Sequence, residues 1–270
     1  MSNHVRREQA AVRAGQRGGE EALGHFRTDL TVETKADDHE VVEPADAVTK
    51  ADRAAQEKVV AEIERSYPQD TIIGEEDETS ETVPEEGVGW LIDPIDGTYN
   101  YIRGLSHWTT SIGIVEDETP VAAVNVLPAI GDTYVAGPDH VELNGEPISV
   151  SNRSRVEAAT VAPVVIPSLG ERAAYADGVA RITEEFGNLR RFGSAQVSLS
   201  LVASGAIEGT IGTINPHPWD TVAGAHLVRQ AGGTVTDIHG EPWSHDSHGI
   251  IASNGHIHEE LVDVGETMLG

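Results

Sequence analysis

The chain opens with two stretches of helical periodicity. Apolar residues return every three or four positions in residues 5–30, where several glycines weaken the pattern, and again in residues 50–67. Residues 31–48, which lie between them, are acidic and alternate in polarity. We therefore predict two helices separated by a hairpin or an extended mobile loop.

A series of short apolar runs follows and predicts a sheet. The pairs Asp117-Glu118 and Asn144-Gly145 stand between successive runs and fit hairpin turns. The acidic residues 75–86 are expected to form a solvated loop between the first two runs. The expected strands are residues 70–74, 88–92, 108–115, 120–127, 132–136 and 141–143.

Strand and helix patterns alternate again after about residue 150. The alternation favours a layered α/β or α+β fold. We expect an N-terminal half over residues 1–150, a C-terminal half over residues 151–270, and a site in the cleft between them. The expected strands of the second half are 160–166, 189–192, 207–211, 234–236 and 249–252, and its expected helices are 171–186, 195–203, 221–231 and 256–268.

The net charge of the chain disfavours anionic binding partners. Among 270 residues, 45 are Asp or Glu and only 18 are Lys or Arg, so the formal net charge is −27. Such a surface repels nucleic acids and anionic membranes. An excess of acids with few lysines is typical of adaptation to high salt, where a Debye length of about 3 Å screens self-repulsion. An ordinary acidic protein is the alternative.

The absence of cysteine excludes several kinds of chemistry. Disulfide bonds, thiolate catalysis and cysteine-based zinc sites are ruled out. No apolar run approaches the roughly 18 residues of a membrane span, and the first residues lack the apolar core of a signal peptide. We therefore expect a soluble, cytoplasmic protein.

The most informative segment follows the second apolar run. That run ends in Asp93 and Asp96, three positions apart, and Gly97 and Thr98 then begin a predicted short helix. Clustered carboxylate oxygens suit Mg²⁺, and the N-terminus of a helix favours an anion. A metal beside an anion predicts a phosphate ester as substrate. A turn capped by the two aspartates is the alternative explanation.

Three further acids stand at the ends of predicted elements. Each has an ordinary explanation: Asp52 as a surface charge, Glu75 as one acid among many in a loop, and Asp220 as the N-cap of a helix. Asp93 and Asp96 give a stronger signal than these single acids. Two carboxylates held together cannot both stay ionised without a cation.

Five ordered stretches of the sequence resemble motifs of the inositol monophosphatase family. Together they run from about residue 46 to residue 255, and they are specific for a superfamily that also holds fructose-1,6-bisphosphatases and nucleotide 3′-phosphatases. The matching stretches are 46–52, 73–76, 90–101 with its core Asp93-Pro94-Ile95-Asp96-Gly97-Thr98, 191–195, and 219–225 followed by Gly232-Gly233.

The resemblance implies a fold and a metal site. The fold would be a layered αβαβα sandwich, usually dimeric, with two or three Mg²⁺ ions per site. Glu75, Asp93 and the carbonyl of Ile95 would hold a first ion, and Asp93, Asp96 and Asp220 a second. A third, weaker ion would face Glu75 through water.

The same resemblance implies roles around the substrate. Asp52 and Thr98 match the pair that orients the attacking water, and Glu75 is a further acceptor for its proton. The backbone N–H groups of Gly97 and Thr98 would bind the phosphate. The expected contacts to the rest of the substrate are Asp96, Arg191, Ala195 and Asp220.

The alcohol part of the substrate is left open. Inositol-specific members carry a glutamate seven residues before the second-signature aspartate, where this chain has Thr213. That departure favours the broad archaeal type, which acts on inositol 1-phosphate and fructose 1,6-bisphosphate. A 3′-phosphoadenosine 5′-phosphate phosphatase and a non-catalytic regulator that binds metal or phosphate are the alternatives. The expected partners are a small phosphorylated polyol or sugar and a second copy of the chain, without nucleic acid or membrane.

Overall fold

Layers of helix and sheet alternate through the molecule. The computed structural model describes residues 3–28, 32–34, 47–76, 82–164 and 172–270, with the backbone alone described at 32–34 and 47–49. Within these ranges, no helix is long and apolar enough to cross a membrane. The described elements form two large sheets, a two-stranded pair and seven α-helices.

The first layer is a pair of helices, α1 (Asn3–His25) and α2 (Lys50–Glu64), as the periodicity predicts. The glycines of α1 that weaken its helical pattern lie where it meets its neighbours. A Cβ on Gly18 would stand 2.5 Å from a methyl of Val59 in α2, and one on Gly19 would stand 2.8 Å from the ring of Pro128. Close packing of α1 on α2 and on the sheet therefore requires residues that lower intrinsic helix propensity.

The backbone pair β1 (Val32–Thr34) and β2 (Ala47–Thr49) is antiparallel, as a hairpin would be. The rest of the predicted loop, residue 31 and residues 35–46, lies outside the described residues.

The second layer is a seven-stranded sheet in which every strand neighbours the next in sequence. Only the first pair is parallel, and the others are antiparallel. Asn144 and Gly145 adopt left-handed φ values of 53° and 82°, which a two-residue hairpin turn requires. The strands are β3 (Thr71–Gly74), β4 (Val88–Asp96), β5 (Thr109–Glu116), β6 (Thr119–Leu127), β7 (Asp132–Ala136), β8 (Val141–Leu143) and β9 (Glu146–Pro147).

Strand β4 continues beyond the expected end at Ile92 and passes through both aspartates. Asp93 pairs with Ser111 and Asp96 with Thr109, so three steps on β4 match two steps on β5. Residues three apart on a regular strand point to opposite faces. The extra residue is a bulge beside Pro94, which has no N–H for the ladder, and it brings both aspartates to one face.

The remaining layers pack around a second sheet of five strands, in the order β11-β10-β12-β14-β13. Two helices lie between the sheets and bury apolar side chains against both, namely α5 (Ala195–Ala203) and α6 (Pro218–Gln230). Two more cover the outer face, namely α4 (Arg172–Glu185) and α7 (His258–Leu269). The strands are β10 (Thr160–Pro163), β11 (Asn188–Leu189), β12 (Gly209–Gly212), β13 (Thr234–Thr236) and β14 (Ile250–Ser253).

The layered αβαβα sandwich is thus confirmed, with shifts at some element boundaries. Helix α6 begins at Pro218, three residues earlier than predicted, because proline suits the first turn of a helix, where its missing N–H costs nothing. The strand expected over 189–192 is reduced to Asn188–Leu189. The two halves divided near residue 150 stay a prediction; the sheets themselves change between Pro147 and Thr160.

Candidate active site

The bulge of β4 holds Asp93 and Asp96 side by side at the edge of the buried core. The side chains are almost fully buried, with 2% and 9% of each residue exposed. Oδ1 of Asp93 accepts a hydrogen bond of 3.0 Å from the N–H of Ile95. The carbonyl of Ile95 in turn accepts one of 3.1 Å from Oγ1 of Thr98. Local hydrogen bonds therefore fix this turn, and Asp93 caps its backbone as the alternative explanation expects.

Two acids from other segments approach Asp93. Burial raises its pKa well above the usual range, and the nearby charges of Glu75, Asp96 and Asp220 raise it further. Glu75 also shares a hydrogen bond with Asp93, and this bond raises the pKa of Asp93 further. Glu75 reaches this position because its N–H extends the β3–β4 ladder, donating to the carbonyl of Ile92 at 3.0 Å.

Asp96 is held by the start of α5. Its Oδ2 accepts hydrogen bonds from Oγ of Ser194 at 2.5 Å and from the N–H of Gln196 at 2.6 Å, and its Oδ1 accepts from the N–H of Ala195 at 3.4 Å. Burial nevertheless outweighs these bonds and raises the pKa of Asp96 to about 6. Ser194 is also the N-cap of α5, because its Oγ accepts from the N–H of Val197 at 3.0 Å.

Asp220 lies in the first turn of α6. It is not the N-cap itself: its Oδ2 accepts the N–H of His217, the N-cap residue, at 2.9 Å. The ordinary explanation of Asp220 as part of a helix cap is therefore correct in a modified form. The same carboxylate is also close enough to raise the pKa of Asp93.

Gly97 occupies a position that no other residue fits well. Its φ is 93°, in the left-handed region, and a Cβ there would stand 3.0 Å from the carbonyl of His107 and 3.1 Å from Cβ of Ser194. The predicted short helix begins at the next residue as α3 (Thr98–Ile102). The backbone of Gly97 thus lies directly against the Ser194 segment that holds Asp96.

Asp52 is buried in the first turn of α2, with 1% of the residue exposed. Its charge contributes, after burial, to the raised pKa of Tyr101 in α3. One turn further along α2, Oε1 of Gln56 accepts the N–H of Glu76 at 3.1 Å. Helix α2 therefore brings Asp52 between α3 and the turn that carries Glu75, rather than to the surface.

Two of the predicted substrate contacts, Arg191 and Ala195, have hydrogen-bond partners within the protein. Arg191 is exposed and hydrogen-bonds to Tyr175 in α4, while the N–H of Ala195 points toward Asp96. Arg190, which follows β11, is tied to that strand through Oδ1 of Asn188 at 2.5 Å and the carbonyl of Leu189 at 3.0 Å. No described contact tests the substrate roles of Arg191 and Ala195, which stay predictions.

The donor set fits a hard divalent cation. Glu75, Asp93, Asp96 and Asp220 offer carboxylate oxygens, and Ile95 offers a carbonyl, which are the ligands that Mg²⁺ prefers. Within the described ranges, no three acidic or histidine side chains are drawn together tightly enough to cage one ion as they stand. The mutual repulsion of these acids, which raises the pKa of Asp93, is what a bound cation would neutralise.

Sequence reasoning missed three polar residues that support the acids: Ser194, Gln196 and Asn125. Ser194 could have been found, because a serine directly before a helical pattern is an N-cap signal. Asn125 lies in an apolar strand and Gln196 in a helix, and both are fully buried. Nothing local distinguishes them, since their partners come from distant segments.

Known proteins are similar to this chain over most of its length. A histidinol-phosphatase of Streptomyces coelicolor is 34% identical over 247 residues, covering 87% of this chain and 86% of its own length. A fructose-1,6-bisphosphatase/inositol-1-monophosphatase of Thermotoga maritima is 34% identical over 225 residues, covering 81% and 82%. Among solved structures, a Thermotoga maritima IMPase superposes with a TM-score of 0.85 at 30% identity, covering 97% of each chain.

A sequence profile of a single family covers almost the whole chain. The profile is described as "Inositol monophosphatase family" and matches residues 5–267. Enzymes of this family generally depend on a metal, typically Mg²⁺. With the fold, the profile and the relatives in agreement, the chain belongs to the inositol monophosphatase family of phosphoric monoester hydrolases.

Proposed function

We propose that this protein is a Mg²⁺-dependent phosphatase that hydrolyses inositol 1-phosphate, fructose 1,6-bisphosphate or both, with water as the nucleophile. The convergence of acids on Asp93 carries the proposal, because burial and the charges of Glu75, Asp96 and Asp220 raise its pKa. A buried cluster of this kind favours a divalent cation. Family membership supplies the reaction class.

Five oxygen donors would hold the metal, and the protein positions several of them in advance. Mg²⁺ bound there supplies a water of lowered pKa and stabilises charge on the leaving oxygen. The Ile95 N–H orients Asp93, the Ser194 hydroxyl orients Asp96, and Asp220 is held by the start of α6. The proposed donors are the carboxylates of Glu75, Asp93, Asp96 and Asp220 and the carbonyl of Ile95.

Other residues would act on the water and the substrate. The Thr98 hydroxyl, bonded to the Ile95 carbonyl, would orient the attacking water and pass its proton toward Asp52 or Glu75. The backbone N–H groups of Gly97 and Thr98 would bind the phosphate. The proposed contacts to the alcohol part are Asp96, Arg191, Ala195 and Asp220.

A phosphate-release assay over four substrates tests this proposal. With Mg²⁺, we expect phosphate release from inositol 1-phosphate, fructose 1,6-bisphosphate or both. Strict selectivity for inositol 1-phosphate is not expected, because Thr213 stands where inositol-specific members carry a glutamate. Removal of the metal with a chelator should abolish release. The other substrates are 3′-phosphoadenosine 5′-phosphate and, because one relative is a histidinol-phosphatase, histidinol phosphate.

The other outcomes of this assay would change either the substrate assignment or the proposal of catalysis itself. Activity confined to the nucleotide or to histidinol phosphate would overturn the substrate assignment and leave the phosphatase class intact. Binding of Mg²⁺ and phosphate without turnover of any substrate would favour the non-catalytic regulator.

We further propose that the surface is adapted to high salt. A net charge of −27 opposes the compact state by self-repulsion, which salt screens. Raising KCl from about 0.1 M to about 2 M should raise Tm by roughly 5 °C, equivalent to about 2 kcal/mol for a domain of this size. Differential scanning calorimetry measures the shift, with glycerol as a non-ionic control. A Tm that is unchanged or lowered by KCl would contradict the proposal.

The partners proposed for the protein are a small phosphorylated polyol or sugar and a second copy of the chain. The homodimer follows from the family resemblance and is measured by analytical ultracentrifugation. The cytoplasmic location stays a prediction from the sequence.

A further inference from the structure

Two fully buried amides lie behind the acid cluster. Asn125 is on β6 of the seven-stranded sheet and Gln196 is on α5. Nδ2 of Asn125 donates to Oε1 of Gln196 at 3.0 Å and to Oγ of Ser200 at 2.9 Å. Burying an amide without hydrogen bonds is costly. Both polar atoms of the Gln196 amide are hydrogen-bonded, to Asn125 and to Trp219, whereas Oδ1 of Asn125 has no hydrogen-bond partner among the described residues.

Gln196 forms hydrogen bonds toward both ends of the acid cluster. Its backbone N–H donates to Oδ2 of Asp96 at 2.6 Å. Its side-chain Nε2 donates to the carbonyl of Trp219 at 2.8 Å. Trp219 directly precedes Asp220 in the first turn of α6. One residue therefore connects the segments that carry Asp96 and Asp220, which are 124 positions apart in the sequence, the difference between 220 and 96.

Asn125 ties this connection to the strand of Asp93. Asp93 on β4 pairs with Ser111 on β5, and Ser111 pairs with Asn125 on β6. Residues opposite each other in antiparallel strands project from the same face of the sheet. The face that carries Asp93 thus also carries Asn125, which anchors Gln196.

Helix α6 approaches Gln196 closely because of Gly224. A Cβ at Gly224 would stand 2.8 Å from Oε1 of Gln196 and 2.4 Å from Cβ of Leu199. The amide of Gln196 therefore fits tightly between the sheet and α6, with little room to adopt another rotamer.

We propose that Gln196, anchored by Asn125, is a positioning residue that sets the separation of Asp96 and Asp220 and thereby the affinity of the site for a divalent cation. The inference rests on the proposed function, since it takes both acids as metal ligands. Groups that orient metal ligands from behind change metal affinity by about 10–100-fold when they are lost. Gln196 touches neither metal nor substrate, so its effect must appear in binding of the cation.

Isothermal titration of the full chain with Mg²⁺ or Mn²⁺, without substrate, tests the inference. Gln196→Met keeps the volume and removes both side-chain hydrogen bonds. We expect the Kd of the cation to rise about 10–100-fold. At saturating substrate, kcat should recover as Mg²⁺ is raised.

A second variant separates positioning from stability. Asn125→Leu with Gln196→Met removes both amides of the buried pair, so that neither is left facing an apolar side chain, although Oγ of Ser200 and the carbonyl of Trp219 lose a donor. We expect this double variant to unfold at a urea concentration no lower than that of Gln196→Met. It should still bind the cation as weakly as Gln196→Met alone, because the two residues act as one unit.

Asn254→Ala is the matched control. Asn254 is a buried amide whose Nδ2 donates to the carbonyls of Ser151 at 3.0 Å and Arg153 at 2.8 Å. It follows the end of β14 that pairs with Gly209, away from the Gly212 end where the loop to α6 begins. This variant should lose stability and keep the wild-type Kd.

The outcomes distinguish the inference from the proposed function. A wild-type protein that binds no divalent cation would refute both. Tight binding by the wild type and equally tight binding by both Gln196 variants would overturn the inference alone. A similar loss of affinity in Asn254→Ala would also overturn it, because the effect would then follow general stability.

Discussion

Replacing Asp93 by Asn is expected to lower kcat at saturating Mg²⁺ by at least about a thousandfold while the fold is kept. Asp93 is the acid proposed to serve both metal ions, so its loss would remove several kcal/mol of transition-state charge stabilisation, and each 1.36 kcal/mol is about tenfold in rate. Asn keeps the oxygen that accepts the N–H of Ile95 at 3.0 Å. Phosphate release under steady-state conditions measures the effect.

The same substitution should not destabilise the metal-free protein. Burial and neighbouring carboxylates raise the pKa of Asp93, so its ionised form is disfavoured in the folded state. A neutral amide avoids that cost. In chelator at about pH 8, we expect the free energy of unfolding of Asp93→Asn to equal or exceed that of the wild type.

Asp70→Asn is a control for which we expect the opposite result to that of Asp93→Asn, namely a loss of stability without a loss of activity. Asp70 accepts hydrogen bonds from Nε of Arg7 at 2.8 Å and from Nε1 of Trp90 at 3.0 Å. It precedes the first residue of β3, whereas Glu75 follows the last, so it lies at the far end of that strand. We expect Asp70→Asn to lower stability and leave kcat unchanged. Full turnover in Asp93→Asn, with loss only in Asp70→Asn, would refute the proposed site.

Much of this site was predictable because its acids are marked locally. Asp93 and Asp96 interrupt an apolar run, and Gly97 and Thr98 follow at once, so one short window carries the signal. The bulge that brings the two aspartates to one face was not predicted. A spacing of three argues against a shared face on a regular strand, and only the pairing with β5 reveals the extra residue.

The support of the site was less predictable than its acids. Asn125 and Gln196 are polar residues in largely apolar elements, and their hydrogen bond joins positions 71 residues apart. Helix α1 also contains residues whose role depends on tertiary packing. Gly18 and Gly19 weaken its periodicity, but they are needed where Val59 and Pro128 pack against it. In both cases the reason for the residue lies in tertiary contacts that local patterns do not contain.

We expect His226, which lies outside the acid cluster, to lower the stability of the metal-free protein in acid. It lies on α6, the helix that carries Asp220, and its Nε2 is 3.2 Å from the carbonyl of Gly137 after β7. Burial, with a smaller contribution from the charge of Arg229, lowers the pKa of His226 to about 4 from 6.5. In the unfolded chain His226 therefore binds a proton near pH 6.5, whereas in the folded protein it binds one only near pH 4.

The sign of the effect follows from that difference. Above about pH 6.5 both states carry neutral His226 and stability is unaffected, whereas below it the unfolded state alone gains from protonation. When the pH falls from about 7 to about 5, protonation of His226 in the unfolded state should lower the free energy of unfolding by about 2 kcal/mol. His226→Gln, which cannot be protonated, should remove that share of the decline. Urea unfolding in chelator at both pH values measures it, since chelation removes the pH dependence of metal binding.

His239→Gln is the control for this measurement. His239 is an exposed histidine 3.2 Å from a carboxylate oxygen of Glu266, and an exposed pair of this kind contributes little. We expect the stability of His239→Gln to follow the wild-type pH dependence. If His226→Gln declines with acid as steeply as His239→Gln, proton uptake at His226 does not limit acid stability. If only His226→Gln is flattened, the contact of α6 with Gly137 is the acid-labile support of the helix that presents Asp220.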